Sequence, residues 1–94
     1  MGQILGVDYG ERRIGLAISD QKKTIAFPYM VIENKSLNFI LDFLKKLCTE
    51  KEIESLVIGL PLALSGKDTL QTEKVRDFSK NIEVLGLPVF LQDE

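Results

Sequence analysis

The sequence predicts an α/β domain built on a mixed five-stranded sheet, with elements in the order β-β-β-α-β-α-β. Three observations carry this expectation. Two short apolar runs, Ile4–Val7 and Ile14–Ile18, flank a polar turn containing Gly10, the pattern of a β-hairpin. Leu37, Ile40, Leu41, Leu44, Leu47 and Cys48 recur at the spacing of one helical face. Leu56, Val57 and Ile58 form a short continuous apolar strand that stops at Gly59-Leu60-Pro61.

Taken in order, the first run ends abruptly at Asp8 and turns through Gly10 into the second. A third run, Thr24–Ile32, alternates loosely and contains Pro28, which cannot donate to a sheet ladder; it is expected to be an irregular strand towards a sheet edge. These three strands form an antiparallel meander. Ser36 is placed to cap the first helix, whose apolar face begins at Leu37. The run Leu56–Ile58 reads as a strand buried on both faces, and a loop with Ser65-Gly66-Lys67 at its turn follows it. Leu70, Val75, Phe78 and Ile82 predict a second, weaker amphipathic helix that closes near Gly86, and Pro88–Leu91 a fifth strand. The later strands join through right-handed helical crossovers.

Length and composition bound the function. Residues 1–94 are enough for one domain with one core, and the 45% apolar and 28% charged residues are a globular balance that excludes disordered, collagen-like and coiled-coil chains. No apolar run approaches the roughly 20 residues that span a bilayer, and no signal-peptide pattern opens the chain. The expected location is the cytoplasm, with no membrane partner. The one cysteine, Cys48, cannot build a disulfide framework and reads as a core residue. The absence of histidine removes Ser-His-Asp and Cys-His catalysis and imidazole zinc ligands, leaving carboxylates, lysine or metal-bound water. A net charge of −2 gives no overall field for nucleic acid, so binding would need a local patch.

The segment Gly6–Asp20, GVDYGERRIGLAISD, holds the most chemistry. A carboxylate at the end of a buried strand has a rigid base yet reaches solvent, which suits the oxygen-rich, hydrated shell of Mg²⁺ or Mn²⁺. Asp8 therefore reads either as a metal ligand or as a residue capping a hairpin turn. Arg12 and Arg13 follow directly, and guanidinium groups match phosphate oxygens in pairs. Lys67, Lys74 and Arg76 extend this patch if they share its face, although Lys74 and Arg76, two apart on a helix, cannot both point the same way. Lys22, Lys23, Lys45 and Lys46 read as solvated surface.

Three blocks in order, GVDYGERRIGLAISD, then VIGLPLALSGKDTLQTEKVRDF at Val57–Phe78, then LPVFLQDE at Leu87–Glu94, resemble the YqgF/RuvX family over about half the chain. The resemblance implies an RNase H-like fold whose closing C-terminal helix is missing from these residues. It also implies a metal-dependent nuclease for structured nucleic acid, whether RNA or branched DNA. The family is similar in fold to RuvC-type resolvases, and its members are regarded as Holliday junction resolvases or as nucleases processing the 5′ end of pre-16S ribosomal RNA, the role expected here. Carried over, the first-strand acid falls on Asp8 and the acid of the family's Asp-Glu-Arg block on Glu94, with Asp93 its neighbour. Asp8 and Glu94 then hold the metal, and a pair of cations could act without any histidine.

This chain departs from the resemblance in two places. RuvC-type resolvases carry an acid after the fourth strand, where Gly59-Leu60-Pro61 stands here, and the family continues past its Asp-Glu-Arg block to a third aspartate. The 94-residue chain is therefore expected to be incomplete and weakly active or inactive alone, with a fifth-strand edge and open sheet face that favour a homodimer. Two other classes compete. The Asp8-Tyr9-Gly10 turn resembles the first phosphate loop of actin-like ATPases and sugar kinases, but those need two lobes and small hydroxyl residues where Arg12 and Arg13 stand. A Walker loop fails because Gly59 and Gly66 are too far apart and Asp68 replaces the hydroxyl residue. A non-catalytic nucleic-acid-binding module is the remaining alternative.

Overall fold

The computed structural model describes residues 2–19, 26–60 and 70–93. Within them run β1 (Gln3–Tyr9), β2 (Arg13–Ser19), β3 (Ala26–Glu33), α1 (Leu37–Glu50), β4 (Ile53–Leu60), α2 (Leu70–Ile82), a 3₁₀ turn (Glu83–Leu85) and β5 (Val89–Asp93). The expected turn at Ser65-Gly66-Lys67 and the start of the third run at Thr24 lie outside the described residues. The strands form one sheet in the order β3-β2-β1-β4-β5. β1 pairs antiparallel with β2, and β2 with β3, whereas β4 lies parallel to β1 and β5 parallel to β4. The short connection after β1 can only return the chain antiparallel, while the helices α1 and α2 carry it back to start parallel strands. β1 therefore sits in the middle of the sheet.

The irregularity expected at Pro28 is present. Ala17 pairs with Pro28 and Leu16 with Met30, so Tyr29 is the extra residue of a bulge on β3, the edge strand. α1 starts where the sequence places it: the extended Ser36 accepts a hydrogen bond at Oγ from the Phe39 N–H, 3.1 Å away. Ser36→Ala is expected to lower stability by about 1 kcal/mol, measured by urea denaturation. The helix ends at Lys51, and Glu52, at φ 53°, takes the left-handed conformation that turns the chain into β4.

Strand alternation divides the sheet into two unlike faces. Leu5 and Val7 of β1, Ile14, Leu16 and Ile18 of β2, and Leu56 and Ile58 of β4 are buried with Ile40, Leu44, Leu47 and Cys48 of α1 and Val75, Phe78 and Ile82 of α2. Burial also pushes the Cys48 thiol above its ordinary pKa, so it stays protonated at neutral pH. Leu37, expected on this apolar face, is 41% exposed at the first position of α1. On the opposite face Gly6, Gly15, Ala17, Val57 and Gly59 help to line an open cleft of about 560 Å³. β4 is thus not buried on both faces as the sequence suggested: Leu56 and Ile58 are fully buried, while Val57 and Gly59 are half-buried. Both helices contribute to one core on one side, and an apolar run cannot reveal that its alternate residues meet no second layer.

Candidate metal and nucleic-acid site

The same alternation that sends Val7 inward puts Asp8 on the open face, where it is exposed and lines the cleft. Asp8 pairs with Gly15 on β2, and the register Val7 to Ile58 brings Gly59 beside it on β4. Neither neighbour carries a side chain to crowd the carboxylate; a Cβ on Gly15 would stand 3.6 Å from that of Asp8. On β5, Gln92 pairs with Gly59 and Asp93 with Leu60. The backbone of Asp93 consequently lies at the same C-terminal end of the parallel strands as Asp8, two strands or about 10 Å across. The side chain of Asp93 and all of Glu94 lie outside the described residues.

This donor set can be compared with what a hard cation needs. A carboxylate on a rigid central strand, open to water and flanked by glycines, fits an oxygen ligand of Mg²⁺ or Mn²⁺. Among the described residues no group of three or more acidic, cysteine or histidine side chains surrounds it. Asp8 is the acidic side chain that the described residues place in this cleft.

The turn from β1 to β2 is fastened from several directions. The Tyr9 ring lies 4.6 Å from that of Phe78 on α2, centroid to centroid. Asn34, just after β3, donates from Nδ2 to the Gly10 carbonyl at 3.0 Å and from its backbone N–H to the Arg12 carbonyl at 2.9 Å. Glu11 forms an ion pair with Lys74 of α2. The Lys74 hydrogen bond and charge, opposed by desolvation and aided least by Arg12, hold the Glu11 carboxyl below its ordinary pKa. A lowered carboxyl pKa stabilises the folded chain while the group is ionised, and this contribution fades as pH falls through the lowered value. Gly10 is required here by space: a Cβ would meet the Arg13 carbonyl oxygen at 2.5 Å. Gly10→Ala is expected to cost more than about 1 kcal/mol, because backbone must move; thermal melting measures it.

Of the expected phosphate-binding residues, Arg12 and Arg13 are exposed on this turn. Lys74 reaches the same turn but pairs its charge with Glu11, and Arg76 is half-buried on α2. Lys67 lies outside the described residues. Sequence reasoning missed Glu11 and Asn34. Glu11 stands among charged neighbours that look like solvated surface, and Asn34 sits 24 positions from the carbonyl it holds, a contact no local pattern signals.

Comparison with known proteins agrees with this architecture. The model of the family described as "RuvX: Holliday junction resolvase" matches residues 2–94. A "Putative pre-16S rRNA nuclease" of Maridesulfovibrio salexigens is 41% identical over 98% of this chain and 69% of its own length. A relative with the same description from Zymomonas mobilis is 41% identical over 99% of this chain and 57% of its own. The chain thus spans little more than half to about two-thirds of these relatives. Among solved structures, Thermus thermophilus RuvC in complex with a Holliday junction substrate superposes with a TM-score of 0.72, covering 99% of this chain and 65% of RuvC at 14% identity, which shows a shared fold. With the family match across residues 2–94 and the mixed sheet that RuvC shares, the chain belongs to the RuvX (YqgF) family.

Proposed function

We propose that this chain carries part of the active site of a divalent-metal-dependent endonuclease that hydrolyses phosphodiester bonds in structured nucleic acid, processing the 5′ end of pre-16S ribosomal RNA in the cytoplasm. The observation that carries the reading is the exposed Asp8 carboxylate at the end of the central strand, between two glycines and next to a turn bearing two exposed arginines. The names of the curated relatives support the RNA substrate.

In this reading Asp8 and Glu94 hold Mg²⁺ or Mn²⁺, with Asp93 as a catalytic neighbour. When bound, the cation supplies activation of a water and neutralises charge on the leaving oxygen. Arg12 and Arg13 hold phosphates of the strand beside the carboxylate, with Lys67, Lys74 and Arg76 further along the patch; the pairing of Lys74 with Glu11 makes it the weakest of these. Gly10 keeps the turn tight enough to present both arginines. The domain is a single RNase H-like unit, and the exposed edge strands β3 and β5 favour a homodimer. No helix among the described residues is long and apolar enough to cross a membrane.

The description of the family model favours a second reading, resolution of Holliday junctions in recombination and repair. A Mn²⁺-dependent cleavage assay with a pre-16S 5′ leader and a four-way DNA junction side by side, on this chain and on a version lengthened to the span of its relatives, separates them. Cleavage of the leader alone supports the proposal, cleavage of the junction alone supports the second reading, and binding without cleavage of either would identify a non-catalytic module.

A further inference from the structure

We infer that Asn34 is a positioning residue for phosphate recognition: by holding the carbonyls of Gly10 and Arg12 it sets the directions in which Arg12 and Arg13 project. The inference rests on the reading of these arginines as phosphate ligands and adds a residue that carries no charge and needs no contact with nucleic acid. Both hydrogen bonds fall on the turn, at 3.0 Å from Nδ2 to the Gly10 carbonyl and 2.9 Å from the backbone N–H to the Arg12 carbonyl. They bracket Glu11, which is tied to Lys74 from the side of α2. The turn is therefore gripped by the end of β3 and by α2 together. Removing the side-chain amide releases the Gly10–Glu11 peptide plane, one residue ahead of the arginines, while leaving the backbone bond at Arg12.

The geometry matters because an exposed arginine on a free turn must be ordered by its ligand, and ordering an immobilised side chain costs binding energy. A turn fixed in advance removes much of that cost; once it is released, one guanidinium no longer settles on its phosphate and the counterion that contact displaced is retained. Asn34 sits between β3 and α1, so a second element of the sheet reports to the hairpin that bears Asp8.

The test is the salt dependence of affinity for a fluorescein-labelled DNA duplex, measured by anisotropy on the full chain without metal. Abolishing one phosphate interaction flattens the plot of log K against log salt concentration by about one unit. Arg12→Gln and Arg13→Gln are expected to flatten it by about that much each. Asn34→Leu, and Asn34→Ala as a second variant, are expected to flatten it in the same direction by about one unit, although neither changes the charge. Ser36→Ala, which weakens α1 nearby, is expected to keep the original slope and so controls for reduced stability. A parent-like slope for both Asn34 variants, beside flattened slopes for the arginine variants, would overturn the role of Asn34 alone. Unchanged slopes for the arginine variants would overturn the reading of Arg12 and Arg13, and the role of Asn34 with it.

Discussion

In a version lengthened to the span of its relatives, Asp8→Asn is expected to reduce Mn²⁺-dependent cleavage by about a hundredfold or more while leaving the melting temperature nearly unchanged. The two halves of this expectation have separate physical sources. Losing even a partner of a metal ligand typically costs about 10–100-fold, and replacing the ligand's charged oxygen by a neutral amide is at least as severe. The fold, by contrast, makes little use of the carboxylate: Asp8 is exposed on the open face, and the strand that carries it is held by Leu5 and Val7 in the core. Exposed substitutions of this kind usually stay within about 0.5 kcal/mol. Mn²⁺ binding, followed by water proton relaxation, gives the same test without turnover, since the parent should bind the ion and Asp8→Asn should bind it much more weakly. Equal binding by parent and variant would remove Asp8 from the metal site.

Much of this architecture was legible because each element carries its own local signal. The hairpin announces itself by two apolar runs around Gly10, α1 by Ser36 and its apolar stripe, and β3 by the position of Pro28. The exposed position of Asp8 was legible for the same reason, as a charge placed where a buried strand must surface. What could not be read depends on contacts between distant segments. The grip of Asn34 on Gly10 and the pairing of Glu11 with Lys74 join residues 24 and 63 positions apart. Lys74 looked like a free cation because sequence shows its charge and not its partner. The half-burial of Val57 was missed in a similar way, since it is as apolar as its neighbours and only the placement of both helices on one side distinguishes them.

That one-sided core predicts unequal costs for adjacent residues of β4. Leu56→Ala is expected to destabilise the chain by about 3 kcal/mol, because the side chain is fully buried and its removal leaves a cavity beneath α1 and α2. For a chain this short, such a loss lowers the melting temperature by roughly 12–24 °C, and it removes a large share of the roughly 5–15 kcal/mol by which small domains are stable. Val57→Ala, one residue away, removes two methyl groups from a half-buried position lining the cleft and should cost no more than about 1 kcal/mol. Thermal melts of the two variants at several protein concentrations decide the matter. A large gap that does not depend on concentration means that the face bearing Asp8 stands open in the isolated chain, as access to nucleic acid requires. Similar costs for the two, with the Val57→Ala penalty growing as protein is concentrated, would mean that a second copy covers the cleft, because stability gained from association follows mass action.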